Sequence, residues 1–196
     1  MKRLLTICLM AAISIAATAQ NHQTFKGVPI DGKTSHFIKQ LKQKGFQQIG
    51  KSDTLIGTFA GYNDCEVTIL SSAQTDNVYG VKVKIPMCQE QNLMMYAEYK
   101  KLQAALTEKY GAPLNPQEER TQSTKQDDFI TTFYKLIANV KETLDFPYGC
   151  VFDTGRGNVL LNGAWFASDC GGGFLIMTYI DNANNNLRQQ NIYDDL

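Results

Sequence analysis

His22 and His36 are the only two histidines in the sequence, so any imidazole-based chemistry must use one of them. A Ser-His-Asp or Cys-His arrangement needs a positioned ring. His22 falls in a short polar lead, where a flexible setting is expected. His36 stands between Ser35 and Phe37 in the first turn of an expected helix, where an exposed polar residue is the ordinary occupant. Neither is assigned a catalytic role. Cys65, Cys88, Cys150 and Cys170 contain no close CxxC pair of the kind structural zinc sites use, which leaves core packing or disulfides. The run Asp181-Asn182-Ala183-Asn184-Asn185-Asn186 clusters oxygen ligands as a calcium loop does. Its third position is Ala183 and its sixth is Asn186, where such a loop needs a ligand and a glycine, so a capped turn is the expectation.

The two glycine-rich places are no better suited to phosphate. Gly155-Arg156-Gly157 and Gly171-Gly172-Gly173 lie between expected strands, whereas a phosphate cradle needs a strand, the glycine loop and then a helix N-terminus. Glu118, Glu119, Asp127 and Asp128 sit together in a polar stretch with no pattern that sets two of them across a cleft. A glycosidase-like pair of carboxylates needs no fixed spacing, which keeps a carboxylate-dependent hydrolase as the alternative function. No catalytic, cofactor-binding or metal-ligating residue is assigned, and no cofactor is expected.

Residues 1–19 read as a leader. Lys2 and Arg3 precede an apolar run from Leu4 to Ala17, and Ala17-Thr18-Ala19 presents small residues where a signal peptidase cuts. The run is shorter than the roughly 20 apolar residues that a membrane span needs. The expectation is a signal peptide, with a mature chain starting at Gln20 and no membrane span after signal removal. Loss of Lys2 and Arg3 takes the balance of 19 basic and 19 acidic residues to a formal charge of minus two. The one basic cluster, Lys39, Lys42 and Lys44, ends a helix, where the dipole favours cations. Nucleic-acid binding, which needs a concentrated cationic surface, is not expected.

The best-specified element runs from Asn92 to Pro113. Met95, Tyr99, Leu102, Leu106 and Tyr110 fall on one face of a helix, with Ala105 widening it. Asn92 is the expected N-cap, and Gly111 and Pro113 end the element. Before it, Phe25 to Ile30 reads as extended. Thr34 is the expected cap of a helix to Lys44, and Gly45 with Phe46 reads as a Schellman-type ending. Leu55 to Phe59 reads as a strand, Gly61-Tyr62-Asn63-Asp64 as a turn, and Cys65, Val67 and Ile69 as one face of the next strand. After a turn at Gln74 to Asn77, Val81, Val83 and Ile85 alternate with Lys82 and Lys84, a half-buried strand that Pro86 stops. A polar loop covers 114–128, and Phe129, Phe133, Leu136, Ile137 and Val140 recur at helical spacing beyond it.

Three more strands follow. Tyr148 to Phe152 leads through a tight connection at Asp153 to Gly157 into a strand whose Val159, Leu161, Gly163 and Trp165 share a face. Ser168 to Gly173 turns, and Phe174 to Ile180 is apolar enough for a central strand. The terminal NANNNLRQQNIYDDL suits a short helix capped by an asparagine and packed by Leu187 and Ile192.

This order predicts an α+β fold, a single domain over 20–196 made of two helix-plus-three-strand antiparallel halves, about 25–86 and 92–181, joined through the long helix, with helices packed against sheet. The element order resembles the tandem helix-plus-sheet modules of the beta-lactamase inhibitor protein and of the SmpA-type outer-membrane-assembly lipoproteins. The segments GVPIDG, FAGYNDCEV and LTEKYGAP look like those of uncharacterised secreted proteins of Gram-negative bacteria, a likeness covering most of residues 25–181. The first resemblance implies a sheet face offered to a partner; the second implies export.

Register sets the cysteine expectations. With the second hairpin turning at Gly155 and Arg156, Cys150 lies opposite about Leu161, and Cys170 lies past the far end of that strand. The intervening stretch spans about 20 Å at roughly 3.3 Å per residue. A disulfide tolerates only about 4.4 to 6.8 Å between alpha carbons. Cys150 is therefore expected as a buried free thiol or paired elsewhere. Cys65, expected opposite about Lys84, is placed to form any local bridge with Cys88. The functional expectation is a secreted or periplasmic, non-catalytic binding protein with a protein or cell-envelope partner.

Overall fold

The computed structural model describes residues 22–87, 95–114, 144–166 and 173–194, with side chains of 144–148, 164–166 and 191–194 outside the description. The expected leader at 1–19, the polar loop beyond Leu114, the helix expected at 129–140, Cys88, Cys170, and the carboxylates Glu118, Glu119, Asp127 and Asp128 lie outside the described residues.

The fold is α+β, with three helices among the described residues and antiparallel sheets. A small hairpin, β1 (Thr24–Phe25) and β2 (Val28–Pro29), comes first. It corrects the expectation of one extended segment over Phe25 to Ile30. Lys26 and Gly27 both take positive φ, 52° and 76°, the two-residue geometry that lets two short strands twist together. Helix α1 (Thr34–Gln43) follows, then β3 (Gln47–Gln48), β4 (Thr54–Phe59), β5 (Tyr62–Ser71) and β6 (Val78–Met87). Helix α2 (Met95–Tyr110), β7 (Leu144–Asp153), β8 (Gly157–Phe166), β9 (Gly173–Asp181) and α3 (Asn182–Asp194) complete the order. Seven strands form one sheet in the order β3-β4-β5-β6-β9-β8-β7, every neighbouring pair antiparallel.

Strand alternation sorts the side chains onto two faces. Leu55, Cys65, Val67, Val81, Val83, Ile85, Cys150, Phe152, Val159, Leu161, Leu175 and Met177 are buried on one face, in a single cluster with residues of α1 and α2. Phe37, Ile38 and Leu41 are the α1 contribution; Met95, Tyr99, Leu102 and Leu106 are the stripe of α2. Ala105 is exposed, so the stripe is narrower than its sequence implies. On the other face Leu160 and Ile180 form a smaller cluster with Leu70, Tyr79 and Val151. β9 is buried at all nine positions, as suits an apolar run flanked by β6 and β8.

Local chemistry explains the ends. The Phe46 N–H bonds the Leu41 carbonyl at 3.2 Å and the Gly45 N–H bonds the Lys42 carbonyl at 3.1 Å, the pair of bonds that defines a Schellman ending. The N-cap of α1 is Lys33, without a side-chain capping bond; Thr34 is already helical and its hydroxyl turns to the Asp76 carbonyl at 3.4 Å. The turn expected at Gly61 to Asp64 instead occupies Ala60 and Gly61, both at positive φ, and β5 begins at Tyr62.

The β5–β6 register differs by one residue from symmetric counting. Near the turn, Ser71 pairs with Val78 as that counting requires; then Tyr79 is the extra residue of a bulge, Leu70 pairs with Gly80, and Glu66 rather than Cys65 lies opposite Lys84. The bulge lets both Val78 and Val81 reach the buried face. On β7–β8 no such shift intervenes near the turn, and Cys150 pairs with Leu161 as expected.

Candidate functional site

A polar cluster among the described residues joins the segment around His22 to the end of the sheet. Asp181, at the end of β9, is fully buried. Its Oδ1 accepts the backbone N–H of Asn184 at 2.8 Å, the N-cap bond of α3, and its Oδ2 accepts the Gln23 N–H at 2.8 Å. The His22 Nδ1 lies 3.2 Å from Asp181 Oδ1, and its Nε2 lies 3.7 Å from the Asp31 carboxylate. The Asn184 amide nitrogen sits 3.1 Å from the Ile30 carbonyl, 3.0 Å from Asp31 Oδ1 and 3.0 Å from the Val78 carbonyl. His22 is thus positioned rather than loose in a flexible lead. The terminal helix is capped by an aspartate rather than an asparagine, and Leu187 is 56% exposed instead of packing it.

Chemically, this arrangement fastens three pieces of chain. A general base needs a free lone pair aimed at substrate. Both ring nitrogens of His22 face carboxylates, and the Asp181 oxygens are engaged by backbone donors that must be satisfied because they are buried. His36 is remote from this cluster: it stands exposed on α1 with its Nε2 3.2 Å from Gln40 Nε2. Asp181 to Asn186 is the N-cap and first turn of α3, and Gly155 to Gly157 is the β7–β8 hairpin, in which Asp153 Oδ1 accepts the Gly155 N–H at 2.7 Å. Of the second glycine run, Gly173 begins β9 and the other two residues lie outside the description.

Cys65 and Cys150 are free and buried. Cys65, the cysteine placed to form any local bridge with Cys88, is thus unbridged: it sits on the inward face of β5 with its Sγ 3.4 Å from the Tyr62 carbonyl. Burial pushes both thiols up; at Cys150 hydrogen bonds to Tyr99 and Gln103 oppose that push without cancelling it. Thiols kept protonated are poor nucleophiles and poor metal ligands. Between α2 and β5, the Tyr62 hydroxyl bonds the Glu98 carboxylate, which Lys101 also approaches at 3.4 Å. Burial and then Glu98 push the Tyr62 phenol up, while the Tyr62 bond holds Glu98 below the usual carboxylate range.

An open concave surface runs along α1, and another, of about 690 Å³, lies along the end of α2 between Lys100 and Pro113. On α1, Ser35, Ile38, Lys39, Lys42, Gln43 and Gln48 line a groove of about 450 Å³. It adjoins a second, of about 350 Å³, that shares Ser35, Ile38 and Gln48 and reaches Lys51, Asp53 and Asp76. Among the described residues Lys39 and Lys42 hold no ion pair. Sequence reasoning assigned these lysines to the helix dipole alone; nothing in the sequence showed that β3 would fold back beside them. The outward face of β4 to β6 is mixed rather than aromatic: Ile56 is 39% exposed, and Lys84 lies 3.9 Å from Glu66.

No known family, curated protein or solved structure matches this chain. None of the helices among the described residues is long and apolar enough to cross a membrane.

Proposed function

We propose that this protein is a secreted or periplasmic binding protein without catalysis, which takes a protein or cell-envelope partner along α1. The observation that carries the reading is the groove between α1 and the edge of the sheet, lined by Ile38 and by two lysines, Lys39 and Lys42, that hold no ion pair among the described residues. Open concavity with unengaged polar groups is what a docking surface offers. Reading the β4–β6 and β7–β9 runs as two halves, each with its helix, keeps the resemblance to tandem helix-plus-sheet modules, which implies a sheet face offered to a partner; the α1 groove lies at the edge of that sheet, beside β3. Export rests on the leader pattern; cleavage after Ala19 leaves only Gln20 and Asn21 ahead of the fastened His22.

The rival reading, a carboxylate-dependent hydrolase, would rest on Asp31 and Asp181 converging at His22. Burial of Asp181 and its engagement by two backbone donors weigh against it. Photo-cross-linking decides between presence and absence of a docked partner: a cross-linker at position 42 should give a discrete adduct in cells, and one at position 109 should not. Equal adducts at both positions, or none at 42, would overturn the binding reading.

A further inference from the structure

We propose that the α1 groove binds an extended peptide bearing acidic side chains, which lies alongside β3 and adds to the edge of the sheet. The inference rests on the binding reading above and supplies the chemistry of the partner.

Two observations converge on this occupant. The first is the backbone. β3 is the outermost strand on its side of the sheet. In antiparallel pairing the residues of one strand turn their N–H and C=O groups alternately toward and away from the neighbour. The Ile49 N–H bonds the Thr54 carbonyl at 2.9 Å, and Gln47 and Gln48 pair with Ile56 and Leu55. Ile49 and Gln47 therefore face β4, and the Gln48 N–H and C=O point away from it. Gln48 also lines both grooves along α1, together with Ser35 and Ile38 of that helix. An extended peptide laid along an exposed edge finds main-chain partners of this kind, while a neighbouring helix reads its side chains.

The second is charge. The helix wall of the larger groove carries Lys39 and Lys42, one turn apart, and no carboxylate lines that groove. Asp53 and Asp76 stand only at the farther end, with Lys51. A ligand with carboxylates opposite Lys39 and Lys42 is complementary there, whereas a cationic peptide would meet two like charges.

Three fluorescein-labelled hexapeptides test the proposal on the mature chain: alternating Glu-Val, alternating Lys-Val, and the Glu-Val peptide with N-methylated backbone amides. The Glu-Val peptide should bind and shift the Gln48 amide resonance. The double variant Lys39→Glu, Lys42→Glu should weaken it by about tenfold or more, a size expected from reversing two surface charges. N-methylation should abolish binding, because it removes the donors of the added strand. Thermal unfolding checks that the double variant remains folded; if it does not, the same comparison with Lys39→Gln, Lys42→Gln replaces it. Equal binding of the Glu-Val and Lys-Val peptides, no binding of the Glu-Val peptide at millimolar concentration, or binding indifferent to N-methylation would overturn the proposal. A position-42 adduct without Glu-Val binding would sink this inference and leave the binding reading standing; absence of both would remove the two together.

Discussion

The His22 ring and the Asp181 carboxylate meet at 3.2 Å across 159 positions of sequence, at a point where β9 ends and α3 begins. One buried side chain thereby caps a helix, accepts the Gln23 N–H and orients an imidazole. Replacing it strands several partners together. Asp181→Asn puts an amide donor against groups that are themselves donors and should cost about 2 to 4 kcal/mol in urea unfolding. His22→Gln, at a partly exposed position, should cost about 1 kcal/mol or less. Equal losses would mean that Asp181 does not organise the junction.

The Tyr62–Glu98 bond makes a pH-dependent contribution with two limbs. Glu98 is held low by Tyr62 and Lys101, so its share is present above the pKa of an unfolded glutamate, about 4.3, and fades as acid protonates the folded carboxylate. Tyr62 is pushed up by burial and by Glu98, so its share is present below about pH 10 and is lost as pH rises through the folded phenol's pKa. Tyr62→Phe should cost about 1 kcal/mol near neutrality. The gap between variant and parent should narrow at both extremes; a constant gap from acid to alkali would show that the bond is not what Tyr62 contributes.

The α2 stripe predicts a contrast between neighbours. Leu102 is 7% exposed and packs in the main core, so Leu102→Ala should cost roughly 2 to 5 kcal/mol. Lys101 is exposed and its ion pair with Glu98 is at the surface, so Lys101→Ala should cost under about 0.5 kcal/mol. Small, equal losses in chemical denaturation would place α2 off the sheet.

The cysteines predict a labelling pattern. Cys65 and Cys150 are buried with their thiols protonated, and a maleimide should reach neither until the protein unfolds. Non-reducing peptide mapping should find both uncross-linked, so that any bridge among Cys65, Cys88, Cys150 and Cys170 joins Cys88 to Cys170. Recovery of a Cys65–Cys88 or Cys150–Cys170 peptide would contradict the register on which both placements depend.

The sequence by itself determined the elements whose cause is local. Periodicity marked the α2 stripe, alternation marked Val81, Val83 and Ile85, and Gly45 followed by Phe46 specified the ending of α1, because each pattern acts through neighbours within a few residues. It also set the β7–β8 register, since a short turn fixes the pairing of the strands it joins. What only the tertiary structure decided depends on contacts between distant segments. The bulge at Tyr79 moved the β5–β6 register by one residue, because packing Val78 and Val81 on the same face outweighs a regular ladder. The pairing of β6 with β9, which makes one sheet of seven strands, has no signature in either strand alone. His22 reads as an ordinary polar residue in the lead, and Asp181 as part of an asparagine-rich turn. Their meeting, and the groove that Gln48 closes beside Lys39 and Lys42, exist only because the sheet brings those stretches together, and side chains paired over such separations leave no spacing for a sequence to display.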